Sequence, residues 1–175
     1  MIDKISKYID DNGIILDECD MLDKFGKAAL YCHINNQDII LLNPNFKDRD
    51  IRDQVDILAE ECGHYATSIG DTFISPATYS DRLKIDKSEH KAILWASNYF
   101  IDKLDLIRYI RLSTSVEELT DYLGVSYSML YEYLYNLKNK GQYLELGDGS
   151  KLDLYKLPNL VIISEQEGVI NYEES

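Results

Sequence analysis

The chain has 175 residues, of which 31 are Asp or Glu and 18 are Lys or Arg, so its formal net charge at pH 7 is -13. This acidic balance argues against a dedicated nucleic-acid-binding protein, because such proteins use Lys and Arg to displace counterions from phosphates. Hydrophobic residues make up 45% of the chain, which is enough for a buried core, but the apolar runs are far shorter than the roughly 20 residues needed to span a bilayer.

The first elements along the chain are a helix, a hairpin and a second helix. Isoleucines at helical intervals predict an amphipathic helix over residues 2–10. β-Prone residues at 30–34 and 38–42, with asparagines between them, predict a hairpin. A helix is then expected from residue 51 to about Ser68, with Gly70 as its terminator. Its apolar face consists of Ile51, Val55, Leu58, Ala59 and Cys62.

A polar stretch over residues 71–87 is expected to separate this helix from another, which runs through residues 89–100. Further on, Tyr143-Leu144-Glu145-Leu146 and Leu152-Asp153-Leu154-Tyr155 flank a Gly-rich turn and predict a C-terminal hairpin. We therefore expect an α+β fold. Residues 1–112 would form a helix pair packed on a small β-sheet, and residues 113–175 a separate C-terminal region.

The C-terminal region has a helix-turn-helix outline. A capping box from Ser115 to Glu118 starts one helix, Gly124 ends it, and Ser126 caps the next. This second helix has no Lys or Arg before Lys138, whereas helices that read a DNA groove are rich in cationic and amide side chains. Its Tyr and Leu residues are better explained as core or as a protein-facing surface.

The segment that carries chemistry is Leu58-Ala59-Glu60-Glu61-Cys62-Gly63-His64. Glu60 and His64, four residues apart, share one face of a helix, and Glu61 is displaced by about 100°. The zinc motif His-Glu-x-x-His has this spacing, with Glu60 here in place of the first His. Glu89 opens the next helix, and the small Ala92 one turn further on predicts a close helix approach that brings Glu89 to the same ion.

In these residues the chain resembles the ImmA/IrrE metallo-endopeptidases. Their core pattern is Leu-Ala-(His or Glu)-Glu-Leu-Gly-His, followed by Glu-x-x-Ala on the next helix. The second part is matched by Glu89-His90-Lys91-Ala92. The order of the motifs and the preceding hairpin are also similar, so the resemblance covers residues 14–125.

The resemblance implies a zincin-like helix pair in which Glu60, His64 and Glu89 hold one Zn²⁺ and Glu61 is the general base. It implies an endopeptidase that cleaves a specific intracellular protein. That substrate would be a helix-turn-helix repressor encoded on a prophage or mobile element, and its cleavage would relieve repression. An acidic enzyme would also attract a basic partner electrostatically. Neither direct nucleic-acid binding nor a membrane partner is expected.

Glu60 in the first ligand position leaves two alternatives open. Two carboxylate ligands neutralise more of the metal's charge than one, which weakens water activation and makes Mn²⁺ an alternative to Zn²⁺. As an alternative to the peptidase, the substitution would mark lost catalysis, in which case the protein would bind and sequester a repressor without cutting it.

The remaining histidines and several tyrosines are secondary candidates. His33 is expected on a strand face, and His90 either orients a ligand or lies exposed. An oxyanion could be stabilised by a phenol from Tyr65, Tyr79 or Tyr99.

The cysteines and the first residues bear on cellular location. Cys19, Cys32 and Cys62 form no Cys-x-x-Cys pair and are interpreted as reduced core residues. Residues 1–8 alternate charged and apolar groups, without the continuous apolar stretch of a secretory signal. We therefore expect a cytoplasmic protein.

Overall fold

The computed structural model describes residues 1–68, 79–164 and 168–171. These residues form seven α-helices and two small β-sheets, which confirms the predicted α+β class. The chain divides into two units, Met1–Phe100 and Ile101–Ser175. The predicted division lay after residue 112, whereas residues 101–112 belong to the second unit in the structure. Among the described residues, no helix has both the length and the apolarity to cross a bilayer.

The first unit combines four helices with a three-stranded sheet. Its elements are α1 (Ile2–Asp11), β1 (Ile15–Glu18), α2 (Leu22–Phe25), β2 (Ala29–Ile34), β3 (Gln37–Leu42), α3 (Ile51–Thr67) and α4 (Tyr79–Phe100). A short 3₁₀ helix, Pro44–Asp48, joins β3 to α3.

The sheet of the first unit has the strand order β1-β3-β2, so β2 is an edge strand. The predicted β2–β3 hairpin is confirmed. Its turn residues Asn35 and Asn36 both have positive φ values, 52° and 61°, which is the conformation of a type I′ turn. Strand β1 was not predicted. It pairs in parallel with β3, and all four of its residues are exposed, so no apolar alternation marked it.

Helix α3 follows the prediction closely. The Asp50 carboxylate caps it by accepting the Arg52 N–H, and Val55, Leu58, Ala59 and Cys62 are buried as expected. Ile51 was predicted to lie on this apolar face but is 55% exposed, since it occupies the first turn of the helix. The helix ends at Thr67, and the predicted terminator Gly70 lies outside the described residues.

Helix α4 begins earlier than expected. Residues 79–87 were predicted as part of a polar linker but belong to the helix. The segment contains no Gly or Pro, and Arg82-Leu83-Lys84 favours helix, so polarity alone was a poor reason to exclude it. Residues 71–78 of the predicted linker lie outside the described residues.

The second unit contains three helices and a four-stranded antiparallel sheet. Its elements are α5 (Lys103–Ile110), α6 (Val116–Leu123), α7 (Tyr127–Lys138), β4 (Tyr143–Glu145), β5 (Ser150–Asp153), β6 (Val161–Ser164) and β7 (Gly168–Asn171). Helix α5 was not predicted. The predicted hairpin is present as β4 and β5, and β6 and β7 extend it to a sheet of order β4-β5-β6-β7.

Candidate metal centre

The site depends on a close approach of α3 and α4 at Gly63 and Ala92. A Cβ atom placed on Gly63 would lie 2.2 Å from the carbonyl oxygen of Ala92, a distance that real atoms do not adopt. Ala92 itself is fully buried. Because residues three apart share a helix face, the contact at Ala92 also turns Glu89 toward α3. The absence of a side chain on Gly63 therefore allows Glu89 to reach the residues of α3.

Glu60, His64 and Glu89 converge as predicted. Nε2 of His64 lies 2.9 Å from Oε2 of Glu89, and one potential ligand atom from each of the three residues lies within 4.8 Å of the others. The His64 side chain is 12% exposed and that of Glu89 is 35% exposed. The three residues thus form a group, partly shielded from solvent, that could hold a metal ion.

The charges in this group are poorly balanced. Burial, followed by the negative charges of Glu61 and Glu89, raises the pKa of Glu60 to about 7. The hydrogen bond from His64 lowers the pKa of Glu89. Burial acts to lower the pKa of His64, but the hydrogen bond to Glu89 and the neighbouring carboxylates outweigh it and raise that pKa. Together with Glu61 beside the group, Glu60 and Glu89 place three carboxylates around one imidazole, an excess of negative charge that a divalent cation would neutralise.

The donor set fits zinc or manganese. Both ions accept one imidazole nitrogen and two carboxylate oxygens as donors. A second carboxylate favours manganese more than a second imidazole would. His64 presents Nε2 to the group, whereas its Nδ1 is buried without a hydrogen-bond partner among the described residues. Metal-binding histidines usually donate the other N–H to an oxygen acceptor. The described part of the chain does not supply that acceptor.

Glu61, the predicted general base, lies beside this group but is not a member of it. Its side chain is buried, with the residue 6% exposed. Its Oε2 accepts a 2.6 Å hydrogen bond from the backbone N–H of Tyr31, on the free edge of β2. Burial raises the pKa of Glu61, opposed by His64, the Tyr31 N–H and the charge of Lys27. The result is a carboxylate fixed in position through one oxygen.

The other two histidines lie apart from the metal group. Nδ1 of His33 lies 2.8 Å from Oδ1 of Asp38, its cross-strand neighbour. The same oxygen accepts the hydroxyl of Tyr31 at 2.7 Å, and these two hydrogen bonds lower the pKa of Asp38. His90 is exposed on α4. Neither histidine is among the three residues that converge.

The candidate tyrosines have structural contacts. The Tyr65 hydroxyl donates to Oδ1 of Asn12 at 3.4 Å, and its ring packs edge-on against that of Tyr31. Tyr99 is 48% exposed and stacks on Trp95. The side chain of Tyr79 lies outside the described residues.

Two residues near the site were missed by the sequence analysis, Tyr31 and Lys27. Tyr31 contributes its backbone N–H to Glu61, and the ammonium of Lys27 lowers the pKa of both Glu61 and Glu89. Tyr31 comes near α3 through the packing of β2 against that helix. No local spacing in the sequence signals such a contact.

No protein family, curated protein or solved structure that was compared with this chain matches it. The resemblance to the ImmA/IrrE endopeptidases therefore stays a prediction from the motif residues.

Proposed function

We propose that this chain is a metal-dependent endopeptidase of the ImmA/IrrE type. The observation that carries the proposal is the convergence of Glu60, His64 and Glu89, which come from two helices. One potential ligand atom from each of these residues lies within 4.8 Å of the others. These three residues would hold the ion, with zinc as the first candidate and manganese as the second. In this proposal α3 and α4 are a zincin-like helix pair, and α6 and α7 a helix-turn-helix-like region.

Glu61 has the properties of a general base. Bound zinc supplies Lewis acidity, which makes water acidic near neutral pH and polarises a peptide carbonyl. Glu61 takes the proton from the attacking water and later passes it to the leaving amine. Its Oε2 is held by the Tyr31 N–H, so Oε1 is the atom available for the proton. Its raised pKa also suits the role, because proton transfer is most efficient when the pKa of the base lies near the working pH.

The proposed substrate is a basic intracellular protein, a helix-turn-helix repressor encoded on the same prophage or mobile element. The net charge of -13 supports this choice, because it would attract a positively charged DNA-binding protein and speed their encounter at low salt. Cleavage of the repressor would relieve repression.

A second candidate function is binding and sequestration of the repressor without cleavage. Two observations favour it. The backbone N–H of Tyr31 already occupies one oxygen of the predicted base, Glu61. In addition, Glu60 provides a carboxylate at the position where the motif has an imidazole, which would weaken water activation. In this case the acidic surface would supply the affinity, and the metal group would serve stability.

The test combines metal content with cleavage. Wild type, Glu61→Gln, His64→Ala and the control His90→Ala are purified, loaded with Zn²⁺ or Mn²⁺, and incubated with the repressor encoded beside the gene. We expect one ion per chain in all except His64→Ala, and cleavage only by wild type and His90→Ala. An intact repressor that co-purifies with wild type at low salt would support sequestration. A folded wild type that takes up neither ion would refute the metallopeptidase.

A further inference from the structure

The exposed side of α7 carries a row of tyrosines. Tyr127, Tyr131 and Tyr135 follow one another at intervals of four residues, so they lie along one side of the helix, which we call the tyrosine face. Tyr127 is 42% exposed and Tyr135 is 40% exposed. The ring centroids of Tyr131 and Tyr135 are 6.4 Å apart. Aromatic rings therefore lie at the surface where a helix normally presents charged side chains.

The charge around the tyrosine face is negative. Residues 112–137, which include α6 and most of α7, contain four carboxylates and no Lys or Arg. These carboxylates are Glu117, Glu118 and Asp121 of α6 and Glu132 of α7. Glu132 lies three residues before Tyr135 and is thus its neighbour on the helix surface. Such a surface repels nucleic acid and disfavours a second copy of this acidic chain, but it attracts a cationic protein.

Rings at one end of the face already hold a cation of the chain itself. The ammonium of Lys138 lies 5.7 Å from the ring centroid of Tyr135 and 5.5 Å from that of Tyr155. Both distances are those of a cation–π interaction. Tyr155 belongs to a short 3₁₀ helix, Leu154–Lys156, and is 60% exposed. Lys138 occupies only the C-terminal end of the row, two turns from Tyr127, so the surface can accept further cations.

We propose that the tyrosine face of α7 is a docking surface for an arginine-rich segment of the partner protein. Guanidinium groups suit it better than ammonium groups, because they are planar, weakly hydrated and able to stack on aromatic rings. The carboxylate of Glu132 would accept a charge-assisted hydrogen bond from such a group. Tyr and Arg are also the residue types that often dominate the energy of protein interfaces.

For the identity of the partner, this inference rests on the proposed function. A repressor carries its cationic side chains where it contacts the phosphates of DNA. Docking of that segment on the tyrosine face would therefore also keep the repressor from its DNA, whether or not cleavage follows.

The experiment measures the binding of two labelled peptides, nona-arginine and nona-lysine, to the full chain by fluorescence anisotropy at about 0.15 M salt. The two peptides have equal charge, so a difference between them reports stacking on rings rather than net attraction. A chelator is present throughout, so the result depends on neither a bound metal nor cleavage.

The first comparison is between two double variants. Tyr127→Leu with Tyr135→Leu removes two rings but keeps apolar bulk, whereas Tyr127→Phe with Tyr135→Phe keeps the rings. We expect wild type and the Phe variant to bind nona-arginine about fivefold or more tightly than nona-lysine, and the Leu variant to lose this preference. Both tyrosines are exposed, so the variants should fold, which circular dichroism checks.

A second pair of variants tests the same rings with the opposite sign. Lys138→Met and Lys140→Met each remove one positive charge near the end of α7. Lys138 lies over the rings of Tyr135 and Tyr155, whereas Lys140 is exposed beyond the helix. We expect Lys138→Met to bind nona-arginine about two- to fivefold more tightly than Lys140→Met, because it vacates two ring faces.

The outcomes separate this inference from the endopeptidase proposal. Equal binding of the two peptides by wild type, a Leu variant that keeps the preference for arginine, or equal effects of the two lysine variants would overturn it. So would a wild-type dimer in sedimentation that the Leu variant loses, since a second copy would then cover the face. None of these results bears on metal uptake or cleavage. If wild type binds no metal ion, the proposed function fails, and a retained preference for arginine still supports the docking surface.

Discussion

Gly63 on α3 and Ala92 on α4 are in such close contact that even a methyl group on Gly63 would collide with the Ala92 backbone. The collision would involve the carbonyl oxygen, the carbonyl carbon and Cα of Ala92, at 2.2, 2.7 and 2.9 Å. A backbone in mid-helix cannot rotate away as a long side chain can. The separation of α3 and α4, and with it the 2.9 Å contact between His64 and Glu89, therefore depends on this glycine.

The first prediction concerns Gly63→Ala. The added methyl group forces the two helices apart. We therefore expect the free energy of unfolding to fall by about 1–3 kcal/mol, the usual cost of overpacking. Urea unfolding followed by circular dichroism measures it. Metal uptake should fall as well, because Glu89 moves away from His64.

Gly141→Ala is the matched control for this substitution. Gly141 has no heavy atom within 4 Å of an added Cβ, and its backbone lies outside the positive-φ region. The same chemical change should therefore alter stability by less than about 0.5 kcal/mol. An unfolding midpoint for Gly63→Ala equal to that of wild type would mean that the helices are farther apart than the structure has them.

The second prediction concerns the pH dependence of the metal-free protein. The pKa of Glu60 is about 7 in the folded chain against 4.5 for the free side chain, so the folded state binds more protons between these values. Its contribution to stability therefore falls as the pH rises from about 4.5 to about 7. Glu60→Gln mimics the protonated group and should remove this loss.

We expect metal-free Glu60→Gln to be more stable than metal-free wild type at pH 8 and about equal to it at pH 4. The difference in the free energy of unfolding at pH 8 should be about 1–2 kcal/mol. This is less than the shifted pKa alone would give, because solvent screens the charge of a half-buried carboxyl. The measurement is urea unfolding in the presence of a chelator at both pH values. A variant that is less stable at pH 8 would show that the ionised Glu60 is well accommodated.

The third prediction is that metal binding stabilises the first unit. At a free Zn²⁺ concentration of 100 times the dissociation constant, the free energy of unfolding should rise by about 2.7 kcal/mol if the unfolded chain does not bind. His64→Ala should lose this effect, and His90→Ala, altered at an exposed histidine of α4, should keep it. Trp95 on α4 is the one tryptophan of the chain, so its fluorescence follows unfolding of this unit. If Zn²⁺ stabilised His64→Ala as much as wild type, the metal would have to bind elsewhere.

The parts of the site that the sequence predicted are those set by local geometry. Glu60 and His64 are four residues apart on one helix, so their common face follows from helix periodicity. Glu89 was placed through Ala92, because a small residue one turn away signals a close helix approach. The β2–β3 hairpin was predicted for a similar reason, since Asn35 and Asn36 tolerate the left-handed backbone that a tight turn requires.

The features that were missed depend on contacts between distant parts of the chain. Tyr31 meets Glu61 because β2 is an edge strand, and its position in the sheet depends on β3 and the unpredicted β1. Strand β1 lacks an apolar face, so its pairing with β3 left no pattern in the sequence. The early start of α4 has another cause: residues 79–87 are polar, which predicted a linker, but they contain no Gly or Pro and so nothing that opposes a helix.

The last prediction concerns the second unit, where the caps follow the sequence closely. The hydroxyl of Ser126 accepts the Met129 N–H at 3.1 Å and so satisfies a backbone donor that the first turn of α7 leaves without a helical partner. Ser126→Ala should therefore cost about 1 kcal/mol of unfolding free energy. Ser128→Ala, an exposed change at the second residue of the same helix, should be neutral or slightly stabilising, since Ala favours helix over Ser. Urea unfolding by circular dichroism compares the two, and equal effects would mean that the Ser126 cap contributes nothing.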